Sequence, residues 1–317
     1  MNFKKVSVII PIYNSINTLE ESLVSVINQT YPNIEVIIVD DHSKDGSFEL
    51  AKKFESESIK VVKNPKKGAC AARNYGFSLS NGDLIQFLDA DDLIGPQKIK
   101  SQMDVLNGMD EGIVAIGLWG RFNNSKEEVF WENQKINKNF NPAYKWLLES
   151  WKGHGMGQTA IWLTPRKLIE KAGGWNEELK INQDGEFFSR VLMLASCVVF
   201  CDNAKVYYRS GNTESISQKN RFGKEKAESL LLSYQLYKKY ALENAILEEL
   251  RKGLGQNFLM FIYQFYGKFD DLVFTAEHEF YSLGYEKMWT VGGGRFKKLA
   301  SVIGFKRTLK LRGILKK

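Results

Sequence analysis

Hydrophobic positions in the first hundred residues come in short unbroken runs separated by amphipathic stretches. VSVIIPI (6–12) and IEVIIV (34–39) are continuous and rich in β-branched side chains, the pattern of strands buried on both faces. Between them, LEESLVSVINQT places Leu19, Leu23, Val26 and Ile27 at helical spacing, after Asn17 and Thr18 as capping residues. A helix over 47–55, a strand over 59–62, a helix over 68–79 and a strand over 84–88 continue the alternation. Four such repeats predict βαβ units and a parallel sheet covered by helices on both faces. Further along, 113–120 and 127–131 predict two strands around Asn123-Asn124-Ser125, 142–149 a helix, and 159–163 a strand. A helix over 165–171 closes at Gly173-Gly174, and 184–194 is amphipathic. Gly153-His-Gly-Met-Gly157 predicts a flexible loop over a site.

Beyond about residue 215 the pattern changes. Long helical segments over 223–241, 244–266 and 270–283 replace the strands, so the division expected is an α/β domain over 1–215 and a helical extension over 216–317. The end differs again: residues 295–317 hold nine lysines and arginines and no acid, interleaved with Leu299, Val302, Ile303, Leu309, Leu311, Ile314 and Leu315. The chain carries 44 − 37 = +7, so removing those nine leaves −2, and the basicity belongs to this tail. A basic amphipathic helix is expected to lie on an anionic membrane surface; a face packed on its own protein is the alternative. Nucleic acid is not expected as a partner, because only Phe296 and Phe305 are there to stack on bases.

Three cysteines argue against a disulfide framework, and three histidines argue against a multi-histidine zinc site. Met1–Lys5 leads straight into the first strand without a signal pattern, and 253–267 is too short and polar to span a bilayer. The expected location is cytoplasmic, peripheral on the inner face of the cell membrane.

Open parallel sheets bind ligands outside the carboxyl ends of their strands. Pro11, Tyr13 and Asn14 follow the first strand, Asp40 and Asp41 the second, and Asp89, Asp91 and Asp92 the fourth. An aromatic ring and acids there suit a nucleoside, and Arg73, early in its helix, suits a diphosphate. In Asp89-Ala90-Asp91 the two carboxylates share one face of an extended segment and suit a divalent cation, Mg²⁺ or Mn²⁺, held together with phosphate oxygens; an Asp-rich turn is the plainer alternative. Asp184 opens a helix whose N-terminus favours an ionised carboxylate, as a catalytic base requires. An ordinary cap is the other reading of Asp184, and Glu186 is the rival acid.

VSVIIPIYN, VDDHSKDGS, GACAARNYG and FLDADD, followed by GGWNE (173–177) and NQDGEFF (182–188), resemble the motif series of family 2 glycosyltransferases over about residues 5–210. The resemblance implies a GT-A fold, a Rossmann-like, mostly parallel α/β sheet, and a nucleotide-sugar donor with inversion at the anomeric carbon. It implies Pro11, Tyr13, Asp41 and Arg73 on the nucleotide with Asp40 in support. Asp91 would hold the divalent ion on the diphosphate, Asp89 would lie near the ribose, and Asp184 would be the base. Trp175 and Glu177 would lie on the acceptor side, facing a glycan or lipid-linked acceptor. Two positions depart from the series. Gln183 stands where the base motif often has Glu, and Tyr207-Tyr-Arg-Ser-Gly211 lacks a His, leaving Arg209 to serve the leaving diphosphate. A nucleotidyltransferase or other nucleotide-binding enzyme on a similar sheet is the alternative; it would want a glycine-rich loop after the first strand, and PIYNSINT has none.

Overall fold

The structure, a computed structural model, describes residues 4–211 and 223–314. The chain divides into two compact units. The first comprises residues 4–150, 154–177 and 183–211, and the second 151–153, 178–182 and 223–314.

The first unit begins β1 (Val6–Ile12), α1 (Leu19–Ile27), β2 (Ile34–Asp40), α2 (Ser47–Lys52), β3 (Ile59–Lys63), α3 (Ala69–Leu79) and β4 (Leu84–Phe87). It continues with β5 (Leu93–Ile94), α4 (Lys98–Leu106), β6 (Ile113–Phe122), β7 (Phe130–Trp131), α5 (Lys145–Glu149), β8 (Trp162–Pro165), α6 (Arg166–Ala172), α7 (Gln183–Leu194) and β9 (Cys197–Arg209). One sheet runs β3-β2-β1-β4-β8-β6-β9-β5, with β7 paired to β6. The strands β3, β2, β1 and β4 are parallel, in keeping with the apolar, buried β1, β2 and β4, and β3 at the edge leaves Lys60 and Lys63 exposed. Beyond β4 the sheet is mixed: β8 pairs antiparallel with β4 and β6, while β6 and β9 run parallel with a register shift at Gly117/Leu118.

The join between the two halves departs from the sequence expectation. Residues 159–161 form a 3-10 turn, and the strand begins at Trp162. That turn leaves backbone carbonyls without ladder partners, and two fully buried glutamines supply them. Gln86 donates to the Ala160 carbonyl (3.0 Å), and Gln102 donates to those of Ile161 (2.8 Å) and Ala115 (3.1 Å). Similarly, 126–128 is a 3-10 turn rather than part of a strand, and only Phe130–Trp131 pairs with β6. The predicted helix over 142–149 is regular only from Lys145.

The second unit contains α8 (Lys224–Glu243), α9 (Leu247–Phe265), α10 (Asp270–Ser282), α11 (Gly294–Ile303) and α12 (Phe305–Ile314). Its core is the buried side of α9, with Leu254, Phe258, Phe261 and Phe265, closed by Phe280 of α10. Segment 178–182 lies against α8: Ser229 Oγ accepts from the Lys180 amide (2.8 Å), and Asn182 donates to Ser233 Oγ and Tyr237 Oη. The basic tail is two helices, not one. Gly304, at φ 87°, ends α11 and turns the chain into α12. Among the described residues no helix is long and apolar enough to cross a membrane.

Candidate active site

The loops after β1 and β2 are knitted together by backbone amides. Asp41 Oδ1 and Oδ2 accept from the Gly68 amide (2.9 and 3.0 Å), and Oδ1 also accepts from Asn64 Nδ2 (2.9 Å). Asp40, buried at the end of β2, accepts from the Ser43 amide, and the Asp41 amide donates to the Ile12 carbonyl (2.8 Å). Asn14, at φ 46°, accepts from the Lys44 amide and closes the turn beside Tyr13. Tyr13 is 52% exposed, so its ring is open to a ligand. Asn64 is a site residue that sequence reasoning missed. It is buried, links Asp41 to the carbonyl of Gly68, and follows an unremarkable strand.

The end of β4 is less settled. Arg73, buried on α3, donates to Asp89 Oδ1 (2.6 Å), and its guanidinium lies 4.5 Å from the ring centre of Trp175. Its buried Nε has no partner. Asp91 is half-buried, and burial followed by the neighbouring Asp89 charge pushes its carboxyl up to about 6. Asp92 is fully buried and accepts from Gln158 Nε2 and from the Arg209 amide (2.9 Å). It is thus a structural clamp between this loop and the segment entering β8.

Asp184 is the second residue of α7 rather than the residue preceding the helix, and it remains partly exposed. Burial raises its pKa, the Gly185 amide and Arg73 oppose that rise, and the Asp89 charge adds to it. Arg73 and Asp89, from α3 and the β4 end, therefore share one electrostatic neighbourhood with a carboxylate almost a hundred residues away.

The remaining candidates have structural partners. Trp175 is buried, stacks on Phe187 at 4.3 Å, and supports the Arg73 guanidinium from below. Asn74 fixes it: Asn74 Nδ2 donates to the Trp175 carbonyl (2.9 Å), and the Trp175 amide donates to Asn74 Oδ1 (2.7 Å). Glu177 accepts from Asn74 (3.0 Å) and pairs with Lys66; the Lys66 contact lowers its pKa most. Glu186 is fully buried, so as an acceptor-side acid it has no access. It is paired with Arg190 through both oxygens (2.7 and 2.8 Å), and Arg190 in turn donates to the carbonyls of Gly173 and Gly174. Arg209 donates through Nε to the Asp91 carbonyl (2.9 Å) and pairs with Glu21 of α1, so it braces the acidic loop. The glycines at 155 and 157 answer to space: a Cβ at Gly157 would sit 2.7 Å from the Trp162 ring, and one at Gly155 2.3 Å from Gln134.

The sequence model described as "Glycosyl transferase family 2" matches residues 7–171, more than half of the chain. The chain belongs to glycosyl transferase family 2. An uncharacterized glycosyltransferase of Rickettsia conorii is 32% identical over 199 residues, which is 60% of this chain and 32% of that protein. Glycosyltransferase GlyG of Streptococcus pneumoniae is 30% identical over 64% of this chain and 70% of its own length. The chain thus spans about a third of the length of the Rickettsia conorii protein it matches. Among solved structures, S. aureus TarS 1–349 in complex with UDP-GlcNAc aligns with a TM-score of 0.62 at 19% identity, covering 88% of this chain and 89% of that one. The fold is GT-A, with a helical C-terminal region.

Whether a family 2 enzyme with these side chains suits a divalent cation is answered by the donor set. Asp91 offers hard oxygen ligands with no side-chain hydrogen-bond donor among the described residues, beside the Asp89 carboxylate that already repels it. Mg²⁺ and Mn²⁺ take one or two carboxylates and complete their shell with phosphate oxygens and water. No group of three or more His, Cys, Asp or Glu side chains is gathered for a metal among the described residues, so a cation here would need its substrate to be held.

Proposed function

We propose that the protein is an inverting hexosyltransferase. It moves a sugar from a nucleoside-diphosphate sugar to a hydroxyl of a glycan or lipid-linked acceptor in cell-surface polysaccharide synthesis. The observation that carries this reading is the grouping of Arg73, Asp89 and Asp184 in one electrostatic neighbourhood, with Asp91 beside them. Membership of the family and the likeness to TarS, solved with UDP-GlcNAc and with UDP, support the donor class.

In this reading Pro11, Tyr13, Asp40 and Asp41 form the nucleoside side, with Tyr13 free to pack on a base and Asp41 held ready to accept from it. Arg73 faces the diphosphate, and Trp175 fixes its height. Asp184 accepts the proton of the acceptor hydroxyl. The hydroxyl oxygen bonds to C1 of the sugar as the bond from C1 to the diphosphate oxygen breaks, so the configuration inverts. Burial raises the basicity of Asp184 above that of a solvated carboxylate, and Arg73 keeps it ionised. Preorganised charge toward the departing diphosphate supplies most of the acceleration, and Arg73 is the side chain that provides it here. Asp91 would hold a divalent ion, with Asp89 near the ribose, and the ion would supply Lewis-acid neutralisation of that same charge. The tail is read as bringing the enzyme to the anionic inner face of the membrane, where lipid-linked acceptors reside.

The test is a panel of nucleotide sugars assayed for nucleotide release with and without acceptor lipids or glycans, using wild type and Asp184→Asn. Transfer by Asp184→Asn is expected to fall about a thousandfold while nucleotide affinity stays within about twofold. Unaltered turnover would remove Asp184 from the base role.

A further inference from the structure

The nine cations of the tail are not equivalent. On α12 Phe305 and Leu309 are buried, with Phe305 edge-on to Phe296 at 5.8 Å, and Leu311 is a single exposed aliphatic at 44%, without the exposed aliphatic partner that Leu299 has in Val302. Two of its cations are also engaged. Lys306 pairs with Glu277 of α10 (2.6 Å), and Arg312 donates to the Tyr263 carbonyl (2.9 Å) with its guanidinium 4.3 Å from that ring. On α11 the inner line is Phe296, Ala300 and Ile303, set against Tyr263 through Phe296 at 4.8 Å. The outer line is Arg295, Leu299 and Val302, at helical spacings of four and three. Leu299 is 46% exposed and Val302 81%, the highest value of any large aliphatic among the described residues. Arg295, Lys297 and Lys298 flank them, all exposed, with no acidic partner among the described residues.

Resting on the membrane reading above, we infer that α11 is the element that enters the bilayer interface, with α12 its fixed support. Leu299 and Val302 go into the acyl boundary, and Arg295, Lys297 and Lys298 lie among anionic headgroups. Aliphatic side chains ringed by cations within three turns match an anionic lipid surface, which accepts both in one plane. An acidic protein would satisfy the charges and leave Val302 in water. Between Glu286 and Lys317 the sequence holds no acid, so α11 and α12 carry only positive side-chain charge.

The experiment is flotation of the full chain with phosphatidylcholine vesicles with and without phosphatidylglycerol. The variants are Leu299→Ser/Val302→Ser, Lys297→Gln/Lys298→Gln and, on α12, Leu311→Ser. Wild type is expected to float only with phosphatidylglycerol and to release as salt rises. The aliphatic pair is expected to lose about tenfold or more in partitioning, each removed lysine about fivefold, and Leu311→Ser less than about twofold. Thermal midpoints should stay at the wild-type value, since the altered α11 residues are exposed. Leu311→Ser costing as much as the α11 pair would overturn this assignment and leave the membrane reading standing. Wild type failing to float at low salt, or binding polyglutamate instead, would overturn both.

Discussion

At the end of β2, Asp40 and Asp41 direct their carboxylates at backbone amides, and Asn64 fills a further acceptor position. Across β1, at the end of β4, Asp89 pairs with Arg73, and Asp91, beside that like charge and with Arg209 opposing it, has no side-chain donor among the described residues. Both ends read as paired acids in the sequence. The difference is that the first cluster is already solvated by backbone amides, whereas in the second burial and the Asp89 charge raise the Asp91 pKa and Arg209 opposes that rise. The count of backbone N–H groups aimed at a carboxylate, rather than acidity along the chain, separates scaffold from chemistry here.

That contrast can be tested from its strongest element downward. Arg73 is the side chain paired with Asp89 in the β4 cluster, and its guanidinium lies 4.5 Å from the Trp175 ring centre. Arg73→Lys keeps the charge but loses the fork, so kcat/KM for the donor is expected to fall about a hundredfold; a change below about threefold would show that the cluster does not depend on it. Next, Asp41→Asn should lower stability by about 1–3 kcal/mol, because the Gly68 and Asn64 donors lose an anionic acceptor. Asp91→Asn should leave the thermal midpoint unchanged or raise it, because it removes a repelled charge. The reverse ranking in urea or thermal melts would invert the comparison.

The same logic fixes a pH dependence. Asp91 is raised to about 6, so as pH falls through 6 it takes up a proton that competes with a cation. Mn²⁺-dependent binding of a nucleoside diphosphate is expected to weaken toward about tenfold per pH unit below 6 and to be flat above 7. Calorimetry showing a constant affinity from pH 5 to 7 would count against Asp91 as the ligand. At the small end, the Lys66–Glu177 pair has Lys66 73% exposed on its side chain. Lys66→Ala should change stability by less than about 1 kcal/mol, and a larger loss would mean that this rim pair is part of the scaffold after all.

The parallel half was legible because β1, β2 and β4 are buried on both faces and read as largely apolar runs, while the edge strand β3 keeps Ile59 and Val61 on its buried side. The mixed half was not. Residues 159–161 are apolar like a strand, but their carbonyls are taken by Gln86 and Gln102 from other elements, a pairing that no local pattern encodes. Helix α4 was missed although Ile99, Met103 and Leu106 stand at helical spacing, because Lys98 and Gln102, which are also buried, break that stripe with polar residues. The long strand β9 was seen only at its end, since Asp202 and Asn203 interrupt its apolar positions and a register shift divides its pairing with β6. In the site, Arg73, Asp89, Asp91 and Asp184 could be named from motif and position. Glu186 was misjudged although a signal was present: Arg190 stands four residues on, the spacing at which a helical ion pair closes. Asn74 and Gln158 were invisible because their roles exist only once distant loops meet.

The Arg73 guanidinium lies 4.5 Å from the ring centre of Trp175, so a ligand that draws on that cation would change the electric field on the indole. The enzyme therefore carries its own optical gauge: emission from this buried tryptophan should shift as donor occupancy rises, giving a label-free titration.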